Sequence, residues 1–255
     1  MIPDWIRNLK AVTFDVWNTL FVAKSYAQVR SEYLANVLKR NNIIKSNKEI
    51  ADAYQYSFDY AEQARQGGNY RFIKAEERLD YILLQLRTVL PPEEKVAIIK
   101  NFEEVTLTDN PPLVIGVEEI LGLLRSRYQI GIICGSGLTP GRILRTVLKS
   151  EGILRYFESL VFSDEVGFEK PHPLIFEKAL KELEVKPAEA VHIGDLLDTD
   201  VAGAKAIEMR AVWYNHEGKP NETSVKPDFE IRRLIQLAEY LAPGAWKPKK
   251  YLHRY

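Results

Sequence analysis

The chain has a single cysteine, Cys134, in 255 residues, so no disulfide can form within it and no oxidised framework supports the fold. The four histidines, His172, His192, His216 and His253, show no paired-ligand spacing with that cysteine, which argues against a structural zinc site. Net charge is missing as well. Lys plus Arg and Asp plus Glu each total 35, leaving no overall field to draw the chain to nucleic acid or an anionic membrane. No apolar run approaches the length of a membrane span. The opening Met-Ile-Pro-Asp-Trp-Ile-Arg has neither the apolar core nor the small-residue cleavage site of a signal peptide. Gly135-Ser-Gly137 lacks the Gly-Lys-Ser/Thr element of a nucleotide-binding loop, so nucleotide-triphosphate hydrolysis finds no support. A globular cytoplasmic protein is expected, and 46% apolar with 27% charged residues is ordinary for one.

What is present is organised around Ala11-Val-Thr-Phe-Asp15-Val-Trp17-Asn-Thr19-Leu-Phe21. A short run of apolar and β-favouring residues leads straight into an acid, as in a buried strand ending in an active-site loop. Open α/β sheets bind ligands at that carboxyl end, although an Asp there is just as often a turn or helix cap. Two later stretches carry the argument further. Gly194-Asp195-Leu-Leu-Asp198-Thr-Asp200 follows another apolar run over 190–193, and Lys170-Pro171 lies at the edge of a third. An acid, a lysine and an acid cluster at three strand ends supply the parts for an aspartate nucleophile with a divalent cation.

Between the first strand and residue 108 there is almost no strand-like alternation. Helices are expected over 26–41, over 48–66 after the cap signal Ser46-Asn47, over 69–89, and over 92–102, which opens on Pro-Glu-Glu. Leu79, Ile82, Leu83 and Leu86 recur at helical intervals and make one buried face. Four successive helices cannot be an ordinary crossover between parallel strands, so they read as an inserted helical bundle of about 80 residues. Gln66-Gly-Gly-Asn69 reads as a turn and Asp109-Asn-Pro-Pro112 as the return to the main domain. Thereafter helices over 117–126, 142–151, 173–183 and 201–208 alternate with strands over 128–134, 160–162, 190–193 and 211–214, a mostly parallel, helix-covered sheet. A surface loop over 217–227 and a last helix over 228–241 complete it. The resulting division is an α/β core over 1–22 and 109–242, a helical cap over 23–108, and a basic-aromatic tail over 243–255.

With these stretches the chain resembles the haloacid dehalogenase-like hydrolase superfamily, in its subgroup with a helical cap after the first strand, along nearly its whole length. The resemblance implies a Rossmann-like core and hydrolysis of a small anionic molecule, with Mg2+ as cofactor and neither nucleic acid nor membrane as partner. Oligomeric state stays open between monomer and homodimer. Asp15, at the head of Asp-x-x-x-Thr, is implied as nucleophile, with Thr19 orienting it or the substrate, and Lys170 in Gly167-Phe-Glu-Lys-Pro-His-Pro173 as the neutralising cation. Asp195 and Asp200 match the Gly-Asp-x-x-x-x-Asp motif and, with Asp15 and the Trp17 carbonyl, are the implied metal ligands; capping of the following helix is the plainer alternative for Asp200. Asp198 lies off the pattern, and Ser163-Asp164-Glu165 is assigned to loop structure supporting the site.

Two departures from the family qualify this. The position two beyond the nucleophile, a proton-transferring Asp in the family's phosphatases, holds Trp17, whose indole cannot play that part. The end of the second strand, where the family places Ser or Thr followed by Asn, reads Cys134-Gly135. A thiol is a weak donor, so Ser136 is the expected substitute, with Trp17, Asn18, Cys134 and Gly135 around the substrate and Arg30 of the cap as a fork for an anionic group. Lys24 and Tyr26 are further cap candidates. Phosphomonoester hydrolysis through an aspartyl-phosphate is what the resemblance implies first, on Asp15, Lys170, Asp195 and Asp200 together. A 2-haloacid dehalogenase is the alternative that Trp17 favours, since halide leaves without a proton, and a catalytically weak binding or scaffold protein is a third.

Overall fold

The structure is a computed structural model that describes residues 3–245, so most of the basic-aromatic tail, from 246 onward, lies outside the described residues. Six strands form one sheet: β1 (Ala11–Phe14), β2 (Gln129–Cys134), β3 (Ser159–Phe162), β4 (Ala190–Gly194), β5 (Arg210–Tyr214) and β6 (Phe229–Ile231). Their order is β3-β2-β1-β4-β5-β6 with every pairing parallel. The sheet therefore grows outward from β1 in two directions, and the crevice where an open parallel sheet takes its ligand falls at the carboxyl ends of β1 and its neighbours. Val12, Phe14, Ile130, Ile132 and Ile193 pack on one face with Leu121, Leu144 and Leu148, while Ile133, Val161 and Ala211 pack on the other with Ile175, Phe176 and Leu180. Burial on both faces is why these strands read as apolar runs rather than alternating ones.

The cap contains α1 (Ala27–Arg40), α2 (Asn47–Ala64), α3 (Ala75–Gln85) and α4 (Pro92–Thr108). Ser46 caps α2 by accepting from the Glu49 amide, and the Glu49 carboxylate accepts from the Ser46 amide in return, so two otherwise orphaned donors are satisfied. The bundle has its own apolar centre, where Leu34, Leu79, Ile82, Ile98 and Phe102 meet, and Leu138 from the loop after β2 joins it. The outgoing and returning chains run side by side: Val22 donates to the Pro112 carbonyl at 2.9 Å and Val114 to that of Leu20 at 2.9 Å. Two adjacent connections of this kind are the simplest hinge between cap and core.

The core helices are α5 (Val117–Arg125), α6 (Gly141–Ser150), α7 (Ser163–Val166), α8 (Pro173–Glu182), α9 (Ala202–Ala206) and α10 (Leu237–Leu241). Three expectations need correction. The helix expected over 69–89 is only Ala75–Gln85, because Arg71 bridges Phe168 and the Phe72 amide donates to Gly167 at 3.0 Å, so pairing with the lysine loop holds this segment extended. The helix expected over 228–241 begins instead as strand β6, paired with β5, and only Leu237–Leu241 is α-helical. Ser163-Asp164-Glu165 is a short helix rather than a loop. No helix among the described residues is long and apolar enough to cross a membrane.

Candidate active site

Asp15 follows directly on β1, its amide still bonded to the Ile193 carbonyl of β4 at 2.8 Å, and its side chain is buried. Lys170 reaches it from the loop before α8. The Lys170 Nζ lies 2.5 Å from Asp15 Oδ1, 2.5 Å from Asp200 Oδ1 and 3.1 Å from the Ile133 carbonyl. Both oxygens of Asp200 are engaged: Oδ1 also meets His192 Nε2 at 3.2 Å, and Oδ2 accepts from the Leu196 amide at 3.0 Å. Thr13 Oγ1 lies 2.9 Å from the other ring nitrogen of His192. Because that hydroxyl can donate to Nδ1, Nε2 is free to carry the proton offered to Asp200. Gly194 makes this arrangement possible, since a Cβ there would stand 2.2 Å from Asp200 Cγ.

Oxygens of Asp15, Asp195 and Asp200 all lie within 4.8 Å of one another. Burial raises the pKa of Asp15 above the ordinary carboxylate range, outweighing Lys170, and the neighbouring Asp200 and Asp195 charges push the same way. Burial and Asp200 likewise raise Asp195. Asp200 moves oppositely: burial opposes its ionisation, but Lys170 and His192 overcome that and hold it charged. One lysine thus faces three crowded acids, an excess of negative charge. Three hard oxygen donors with surplus charge fit a metal site of the kind hard divalent cations occupy.

The acids open on a cavity of about 260 Å³, the scale of a small ligand. Of the residues singled out in the sequence, Asp15, Trp17, Asn18, Gly135, Lys170, Asp195 and Asp200 line it together. The Trp213 indole donates to the Asp195 carbonyl at 2.9 Å, fixing that loop from β5, and the Asn18 side chain accepts from the Ala23 amide at 3.1 Å. Other candidates lie elsewhere. Arg30 points into the cap, its Nε donating to the Phe102 carbonyl at 2.8 Å and Nη1 to the Tyr54 hydroxyl at 3.3 Å. Lys24 and Tyr26 both turn to Asp109 at the hinge. Ser136 is buried with its hydroxyl donating to Asp164 at 2.5 Å, so it braces the loop rather than facing the cavity. Cys134 is fully buried, and burial pushes its thiol pKa up, leaving it inert. Thr19 is buried beneath the loop, its hydroxyl without a partner among the described residues.

Glu62, Arg65, Glu169, Leu196 and Thr199 also line the cavity and had no sequence signal of their own. Arg65, just past α2, holds Glu62 through Nε at 2.9 Å and reaches Asp198 of the acid loop at 3.4 Å. It is the cap's cationic contribution here, in the place expected for Arg30.

The model of the haloacid dehalogenase-like hydrolases matches residues 9–208. Glyceraldehyde 3-phosphate phosphatase of Pyrococcus furiosus is 29% identical over 241 residues, covering 92% of this chain and 94% of its own. Among solved structures, a 2-haloacid dehalogenase from Pseudomonas syringae pv. Tomato superposes with a TM-score of 0.67 at 27% identity, covering 92% of this chain and 98% of that one. A phosphatase from Thermococcus onnurineus gives 0.63 at 25% identity, covering 91% and 97%.

Proposed function

The chain belongs to the haloacid dehalogenase-like hydrolases, and from this we propose that it hydrolyses small phosphomonoesters through an aspartyl-phosphate on Asp15, with Mg2+ held by Asp15, Asp195, Asp200 and the Trp17 carbonyl. The observation that carries the reading is the joint cluster of three acids and Lys170 at one end of the sheet. A dehalogenase has no phosphate for a cation to clamp and gains nothing from Asp195 placed so.

Asp15 attacks phosphorus, and the P–O bond to the leaving group breaks as the acyl phosphate forms. Lys170, fixed by Asp200 and the Ile133 carbonyl, holds Asp15 in position and offsets its charge. The cation, when bound, lessens repulsion between that carboxylate and the phosphoryl oxygens. Trp213 holds the Asp195 loop in register. The cavity's size and the phosphatase relatives favour a substrate of a few carbons, and glyceraldehyde 3-phosphate belongs in any first panel.

Trp17 supports one second reading, 2-haloacid dehalogenation, in which Asp15 displaces halide from carbon and no proton is needed. A parallel screen for phosphate and halide release, with magnesium and with chelator, separates the two. Metal-dependent phosphate release abolished by Asp15→Asn is expected; halide release persisting in chelator would replace this reading with the second.

A further inference from the structure

The phosphatase reading leaves a gap, because Trp17 stands where a proton-transferring Asp is needed and cannot do its work. Glu169 lines the same cavity as Asp15, Trp17 and Lys170. It is held from both sides: its amide donates to the Tyr70 carbonyl of the cap at 2.6 Å, and its carbonyl accepts from His172 at 2.9 Å. Its Oε2 lies 2.9 Å from where a Cβ on Gly135 would stand. The second departure from the family is at that same residue, where Gly replaces the usual Asn. The two departures are therefore connected in space: the side chain removed at 135 leaves room beside the nucleophile, and a carboxylate fills it.

We propose that Glu169 is the catalytic acid and base of this enzyme, taking over the role that Trp17 cannot perform; the proposal rests on the phosphatase reading above. As Asp15 attacks, the P–O bond to the leaving group breaks, its electron pair stays on the ester oxygen, and that oxygen takes the proton of the Glu169 carboxyl. Glu169, now a carboxylate, then accepts a proton from water as the water oxygen attacks phosphorus. The bond from phosphorus to Asp15 breaks, inorganic phosphate leaves, and Asp15 and protonated Glu169 are restored.

The surroundings shift Glu169 in the direction a general acid needs. Burial raises the Glu169 pKa from its ordinary value, opposed by nearby Ser163 and by the charges of Lys170 on its own loop and of Arg78 and Arg65 from the cap. The Cys134 thiol on β2 stays neutral, while the carboxylates of Asp15 after β1, Asp195 and Asp200 after β4 and Glu62 of α2 line the same cavity and, as like charges, favour the protonated form of Glu169.

Leaving-group dependence tests this directly. Alkyl phosphates need a proton on departure and aryl phosphates of acidic phenols do not. In the wild-type enzyme with magnesium, kcat/KM should vary little across an alkyl-to-aryl series. In Glu169→Gln the alkyl-to-aryl ratio of kcat/KM should fall by about 10²-fold or more, and the high-pH limb of the alkyl profile should disappear. A structural role would lower both substrates alike and leave the ratio unmoved, which overturns the proposal. A steep leaving-group dependence already in the wild type overturns it without any variant. A wild type that releases no phosphate from any ester removes the phosphatase reading itself, whereas an active but steep wild type removes only Glu169.

Discussion

Lys170 Nζ stands 2.5 Å from Asp15 Oδ1, and both side chains are buried where they line the cavity. The same ammonium is shared with Asp200 at 2.5 Å, so one cation compensates two buried carboxylates. Breaking a buried ion pair by removing one partner leaves the other charge uncompensated, at a cost of about 3–5 kcal/mol. Lys170→Met should therefore lower both stability and turnover, the first visible as a fall of that size in chemical denaturation. Magnesium should recover part of the stability and none of the turnover.

The same charge excess makes a thermal shift diagnostic. A ligand bound only by the folded state adds about 2.7 kcal/mol at a hundred times its Kd, so magnesium should raise the melting temperature of the wild type. Asp195→Asn removes one of the three acids that lie within 4.8 Å and should abolish most of that rise without lowering the melting temperature of the metal-free protein. A rise undiminished in this variant would place the cation elsewhere.

Much of this architecture is legible in the amino-acid sequence, and the reason is local. The strand leading to Asp15, the acid loop and the lysine loop each carry their residues at fixed spacing, and the cap shows itself in helical periodicity and the Ser46 capping signal. What is not legible there depends on contacts distant in sequence. Strand β6 is three residues at a sheet edge, and its neighbour β5 rather than its own pattern makes it a strand. Residues 70–72 look helical but spend their backbone bonds on the lysine loop. Arg30 and Arg65 are both cap arginines, and only the packing of α1 against α4 turns the first inward while the end of α2 delivers the second to the cavity.

Arg65 should act on substrate binding more than on chemistry. Its guanidinium holds Glu62 and reaches Asp198 across the cleft, partners an anionic substrate can replace. Hydrogen bonds to charged groups are worth about 1.5–3 kcal/mol, so Arg65→Ala should raise KM by about 10- to 100-fold for substrates with a second anionic group. Steady-state kinetics on singly and doubly anionic phosphate esters would show it; equal effects on both would assign Arg65 to holding the cap alone.

Acid should loosen the cap, where Glu77 of α3 joins Arg71 and Tyr60. Hydrogen bonding to Arg71, and secondarily to Tyr60, holds Glu77 at a pKa of about 2, below its ordinary 4.5. A carboxylate depressed in the folded state gives its full stabilisation above the unfolded value and loses it as pH falls toward the folded one. Stability should thus decline from about 4.5 toward about 2 as this group takes up its proton. Denaturation midpoints across that range should fall less steeply in Glu77→Gln. Asp200 and Asp228, also depressed, keep the slope from vanishing.

One substitution at two glycines should give opposite results. A methyl group on Gly194 would lie 2.2 Å from Asp200 Cγ and 2.5 Å from its Oδ2, so Gly194→Ala must displace the carboxylate from Lys170, His192 and the Leu196 amide. Loss of such a buried network costs about 3–5 kcal/mol, and the magnesium-induced thermal shift should go with it. At Gly67 a Cβ would meet nothing within 4 Å, and the helical turn it sits in needs no left-handed backbone. Gly67→Ala should raise stability by about 0.4–1 kcal/mol through the unfolded chain alone. Melting curves of the two variants with and without magnesium measure both. If Gly194→Ala keeps its metal response, Asp200 has somewhere else to go, and the tight approach of β4 to the acid loop is not what holds the site together.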